Sequence, residues 1–138
     1  MKREWDLIRK QLTDVEEEKD LFSGIPAEPL WEDQGYDAYE KQLKEYRDIE
    51  SRIFGHFELL IENGYIDGLQ VIRSTDGSFN YALHCPRLTM SGHDLLDTMR
   101  SAPIWEKIKA TAKTKGVELT FDAIKALGAH ALKSMFAE

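Results

Sequence analysis

An α+β fold, mostly helical and carrying one β-hairpin, is predicted by three observations in this 138-residue chain. The first is a helical run that ends on glycine: Ile53, Phe57, Leu60 and Ile61 share one face, and Gly64 can take the left-handed conformation that closes a helix. The second is a pair of short alternating runs, Leu69 to Arg73 and Phe79 to His84. They are separated by Ser74-Thr75-Asp76-Gly77-Ser78, where Asp-Gly supplies the positive backbone angles of a hairpin turn. The third is Leu88-Thr89-Met90-Ser91-Gly92, a strand end after which Thr89 or Ser91 caps a new helix. Helix, hairpin, capped helix is the order of a winged-helix domain. The expectation is therefore one winged-helix-like domain over 1–138, with a β-hairpin wing at 66–84 and additional C-terminal helices at 90–138.

At the start of the chain Trp5, Ile8, Leu12 and Val15 recur at spacings of three and four between charged residues, which predicts an amphipathic helix from about 4 to 19 within the segment 1–20. Contiguous carboxylates on a helix point in different directions, so Glu16-Glu17-Glu18 reads as a solvated face. Between Leu21 and Gly35 the residues Ser23-Gly24, Pro26 and Pro29 exclude a helix, and Leu30-Trp31-Glu32 is read as a short edge strand of the hairpin, with Trp31 as a core plug.

From 37 to 63 there is no proline, and Tyr39, Leu43, Tyr46, Ile53, Phe57 and Leu60 keep helical spacing. Either two helices divide at Gly55 or near Arg47-Asp48, or one helix about 40 Å long runs through. In the second case Asp37 to Tyr46 extends forward and serves self-association; the spacing favours this extension slightly. Further on, Leu95, Leu96 and Met99 face inward on a helix to about Arg100, and Ser101-Ala102-Pro103 breaks it and starts the next. Trp105, Ile108 and Ala112 share a face before Gly116, and Thr120 caps a last helix striped by Phe121, Ile124, Leu127, Ala131, Leu132 and Met135.

Hydrophobic content of 42% and charged content of 31% exclude a disordered chain. No apolar run approaches the roughly 18 residues of a spanning helix, the first residues lack the apolar core of a signal peptide, and a single Cys85 fits a reducing compartment. A cytoplasmic protein without membrane contact is expected. The net charge of −7 is uneven: Met1 to Glu62 holds 9 Lys+Arg against 17 Asp+Glu, whereas Asn63 to Glu138 holds 9 against 8. This acidity opposes phosphate binding, which depends on Lys and Arg displacing counterions.

No residue set dictates a reaction. His84-Cys85 are adjacent, His93 stands alone and His130 is distant, so no metal-ligand spacing exists and neither metal nor cofactor is expected. Cys85 before Pro86 reads as a small hydrophobe, His93 and Asp97 as a surface helix pair, and Gly64 and Gly68 lack the further glycines and the lysine of a phosphate loop. No enzyme is expected. For double-stranded DNA the central helix would present Arg47, Arg52 and His56 on its outer face, with Arg73 on the wing for a phosphate or the minor groove. Glu50, Glu58 and Glu62 on the same helix oppose this, and Lys107, Lys109, Lys113 and Lys115 read as a solvated face.

Met1-Lys2-Arg3 with Asp6-Leu7-Ile8-Arg9, then Gly35-Tyr36-Asp37, His56 to Ile66, Arg87-Leu88-Thr89, Gly92-His93, Leu96-Asp97, Arg100 and Trp105 form a pattern across most of the chain. It resembles a family of small bacterial and prophage proteins catalogued as a domain of unknown function. The resemblance implies a winged-helix-like fold and occurrence in mobile elements, and brings no catalytic residues. More widely, His56-Phe57 with Leu60, Gly64 and Tyr65-Ile66, then Leu88-Thr89 and Gly92, is similar to bacterial winged-helix regulators. The stretch between Asp37 and Arg52 is longer than the small family's pattern implies. Two functions follow as expectations: a dimeric DNA-binding regulator of phage or mobile-element type, or an acidic inhibitor or adaptor whose N-terminal half meets a basic protein partner.

Overall fold

In the computed structural model one uninterrupted helix of 27 residues, Tyr36–Glu62, organises the first part of the chain. Residues 1–31 and 35–136 are described. The elements in order are α1 (Trp5–Glu16), α2 (Tyr36–Glu62), β1 (Ile66–Arg73), β2 (Phe79–Leu88), α3 (Met90–Arg100), α4 (Ala102–Lys115) and α5 (Phe121–Phe136). They form two units, Met1–Leu88 and Thr89–Glu138. The α+β, mostly helical class is thus present, with five helices and one antiparallel hairpin among the described residues.

In the first unit, α2 runs through as the longer alternative, and its buried residues all lie between Glu50 and Leu60. Gly55 lies inside the continuous helix, and its bare Cα faces the end of the flexible Met1 side chain. The end of α2 is fixed by Gly64 at φ +73, with Gly64 N–H donating to Ile61 O (3.0 Å) and Tyr65 N–H to Leu60 O (2.9 Å). Ile8, Leu12 and Val15 of α1 are buried, and Gln11 Nε2 donates to Ile53 O at 3.0 Å. This helix stops at Glu16, short of the expected 19, because Glu18 takes φ +56 where a glycine usually sits; Glu18 and Lys19 N–H donate back to Val15 and Asp14 carbonyls.

The hairpin pairs Leu69 with Leu83, Val71 with Tyr81 and Arg73 with Phe79 around the expected turn, where Gly77 has φ +85. Ser78 N–H and Oγ both donate to Asp76 Oδ1 and hold the Asp76 carboxyl below the usual carboxylate range. The first strand spans Ile66–Arg73, within the expected wing at 66–84, whereas the second runs on to Leu88. Pairing resumes at Asp67–Arg87 and Ile66–Leu88 beyond a bulge in which Gly68 alone stands opposite His84, Cys85 and Pro86. By strand alternation Leu69, Val71, Phe79, Tyr81 and Leu83 share the face turned to the helices. There Phe79 stacks on Phe54 at 5.2 Å and Phe22 lies 4.9 Å from Phe54.

Two expectations for the connecting loop are corrected. Leu30 and Trp31 form no strand, and among the described residues the sheet consists of β1 and β2; Glu32 lies outside the described residues. Pro29, directly before this segment, has no N–H with which to extend pairing on its N-terminal side. Trp31 is no core plug. It is 52% exposed and meets Tyr36 and Tyr39 edge-on at 5.6 and 5.3 Å, because the first half of α2 offers no buried surface to receive it.

In the second unit Thr89 Oγ1 accepts Gly92 N–H at 3.1 Å and starts α3, Pro103 lies in the first turn of α4, and Gly116 ends α4 at φ +67. Thr120 Oγ1 accepts Ala123 N–H at 3.0 Å at the head of α5. Leu95, Met99, Trp105, Ile108 and Ile124 are buried. A side chain on Gly128 would collide with Thr98, so α3 and α5 approach closely at this point.

Half-buried Tyr46 yields a test of the α2 packing. Burial first, and then its hydrogen bond to the buried Glu50 carboxylate, push its hydroxyl up to about 12 from the ordinary 10.0. An acid whose pKa is raised by folding keeps its proton while the unfolded chain loses one, so stability falls as pH rises from about 10 to about 12. An ultraviolet absorbance titration should show a late-ionising tyrosine that disappears in Tyr46→Phe; ionisation of every tyrosine near 10 would refute this packing.

Candidate functional site

The four residues expected to face DNA occupy three separate places on the first unit. Arg52 forms a two-pronged pair with Glu4, Nε to Oε2 at 2.5 Å and Nη2 to Oε1 at 2.9 Å. This guanidinium holds the Glu4 carboxyl below the usual carboxylate range. The Glu4 backbone N–H, an open donor at the start of α1, donates to His56 Nε2 at 2.8 Å. With Nε2 accepting, Nδ1 carries the proton and donates to Arg52 O at 2.6 Å. His56 is therefore not on an outer face. Its ring is fully buried with both nitrogens engaged, and it serves to anchor the head of α1.

Arg73 is bound by Glu58 through both carboxylate oxygens, Nη2 to Oε1 at 2.6 Å and Nε to Oε2 at 2.9 Å, and lies over the Phe79 ring at 4.9 Å. Arg47 Nη1 donates to Asp76 O at 3.0 Å and ties the hairpin turn to α2. The structure thus joins Arg52 to His56 through Glu4 and sends Arg47 and Arg73 to the hairpin. Each such exposed ion pair is worth about 0–1 kcal/mol, so its main effect is to neutralise the arginine's outward field.

Elsewhere on this unit, a cleft of about 560 Å³ opens between the end of α1, residues 19–22 and β2. Val15, Leu21, Phe22, Tyr81, Leu83 and Pro86 give it an apolar floor. Phe22 is 4.1 Å from Tyr81 and 5.6 Å from the buried Phe57, so the floor continues the core. Tyr81 and Leu83 remain 48% and 49% exposed although they share the helix-facing side of the sheet with buried Leu69 and Phe79. Asp14, Glu18 and Asp20 stand at the same cleft with Lys19, Cys85 and Arg87. Glu18 and Cys85 are the non-glycine residues with left-handed backbone among the described residues, at φ +56 and +53, a conformation costing about 1–2 kcal/mol each.

This cleft was not legible as a site in the sequence. Phe22 between acidic and glycine-proline stretches was its one local signal, and the bulge that brings Cys85 and Pro86 to the cleft lies across the hairpin. Among the other candidates, Asp97 pairs with Arg100 at 3.1 Å, and Lys109 with Glu106 at 3.0 Å. Among the described residues no cluster of three or more His, Cys, Asp or Glu could hold a metal ion, and no helix is long and apolar enough to cross a membrane.

Residues 2–118 match the family described as Hypothetical protein (DUF2513). A protein of Haemophilus influenzae described as "Uncharacterized protein" is 29% identical over 137 residues, covering 99% of this chain and 100% of the relative. No solved structure matches the chain at a significant level.

Proposed function

Because the chain belongs to the DUF2513 family, whose description carries no reaction, we propose its function from geometry: a non-enzymatic interaction module whose acidic first unit receives a basic protein partner. The observation that carries this reading is the state of the arginines. Met1–Leu88 holds 11 Lys+Arg against 19 Asp+Glu, and Arg52 and Arg73 are already bound by Glu4 and Glu58. A duplex approaching this unit meets net negative charge of 11 − 19 = −8 with these cations compensated, whereas a basic surface meets attraction.

Fluorescence anisotropy of labelled random duplex DNA with the full chain, at about 50 and 200 mM salt, tests it. No binding at either salt is the expected result. Binding that falls steeply between the two salts would refute it and support the second reading, a winged-helix DNA regulator. That alternative is favoured by the hairpin itself, where the Arg73 and Arg87 side chains are 64% and 65% exposed and a phosphate could replace their carboxylate partners. Under it, Arg52→Ala with Arg73→Ala weakens DNA binding.

A further inference from the structure

We infer that the cleft between the end of α1, residues 19–22 and β2 is the docking site for a partner segment with an apolar centre flanked by basic side chains. The inference rests on the interaction reading above and adds the place and the chemistry of recognition. The apolar part follows from the sheet. Tyr81 and Leu83 are on the side of the hairpin that packs on the helices, yet about half of each is uncovered, so the core-facing surface extends beyond what the unit itself covers. A volume of about 560 Å³ accommodates one or two large side chains and is shaped by Leu21, Phe22 and Pro86.

The basic part follows from what the cleft's charges already do. Its two cations are committed to carboxylates that do not line it: Lys19 to Glu17 at 2.7 Å and Arg87 to Asp67 at 2.9 Å. Asp14 is compensated by Lys10 at 2.6 Å. Asp20 accepts the Phe22 backbone N–H, a neutral donor, and among the described residues neither Asp20 nor Glu18 forms an ion pair. The last turn of α1 contains no basic residue, so no side-chain cation of that turn adds to the rim. An apolar floor under a negative rim selects a cation-flanked apolar segment and repels its acidic counterpart.

The test uses the full chain, labelled with ¹⁵N, and a heptapeptide with a leucine-tryptophan-leucine centre and two basic residues on each side. Amide shifts should appear at 18–22, 81–85 and 87 and saturate. Affinity should drop about tenfold or more for the peptide with glutamate flanks and for Leu83→Asp. Leu83 is 49% exposed, and the dispersion of the variant's spectrum confirms that it folds. If Leu83→Asp fails to fold, Glu18→Lys with Asp20→Lys replaces it, with the same loss expected. No shift at millimolar peptide, shifts elsewhere, or unchanged affinity in the folded variant would overturn the cleft assignment while leaving the interaction reading in place. Salt-sensitive DNA binding overturns that reading itself.

Discussion

Phe57→Ala is expected to destabilise the protein by about 3–5 kcal/mol, the largest effect of any single truncation proposed. Phe57 has no exposed surface, sits on the apolar face of α2 and meets Phe22 edge-to-face at 5.6 Å. Truncation removes the ring's burial and leaves a cavity that helix and hairpin cannot both close. It also withdraws the support beneath Phe22, which continues to Tyr81 at 4.1 Å and forms the cleft floor. Urea unfolding should show a lower midpoint, and Phe57→Leu, which keeps most of the volume, should cost about 1 kcal/mol. A Phe57→Ala loss below about 1 kcal/mol would mean that this aromatic cluster is not the core of the unit.

Gly68→Ala is expected to cost about 3 kcal/mol. Two penalties combine. The backbone is at φ +81, and an added Cβ would lie 2.5 Å from His84 O and 2.7 Å from Cys85 O, both backbone atoms of the paired strand. Those carbonyls can retreat only by opening the bulge. Gly116→Ala separates the two causes, since Gly116 is also left-handed, at φ +67, but has open space around it; about 1 kcal/mol is expected there. Equal losses at the two positions in thermal or urea unfolding would show that the close approach across the bulge carries no energy.

What was legible in the sequence was what depends on neighbours within about one helical turn. Gly64 ending α2, Asp76-Gly77 at the hairpin turn, Thr120 as a cap and Thr89 as one of two candidate caps beside Ser91 each satisfy local backbone donors or angles, so residue type points to them. The errors share the opposite character. His56 is buried with its Nε2 accepting the N–H of Glu4, 52 positions away, a partner that helical spacing does not reveal. Trp31 is exposed because of where the buried half of α2 begins, which spacing alone does not reveal. The end of α1 was overrun because the left-handed position is held by Glu18, where glycine would have announced the stop. Of the site, the acidity and the arginines were legible; their pairing, which decides what each surface attracts, was not.

A two-stranded sheet leaves an outer edge on each strand, and such edges invite other copies to add strands and grow into fibres or aggregates. On β2 that invitation is interrupted. Pro86 has no N–H to offer, and the bulge opposite Gly68 throws the next residues out of regular register, with charged Arg87 following. A newcomer at this edge cannot extend a continuous ladder of backbone hydrogen bonds. The same irregularity that shapes the cleft therefore confines regular pairing along the outer edge of β2 to the short stretch Phe79–Leu83.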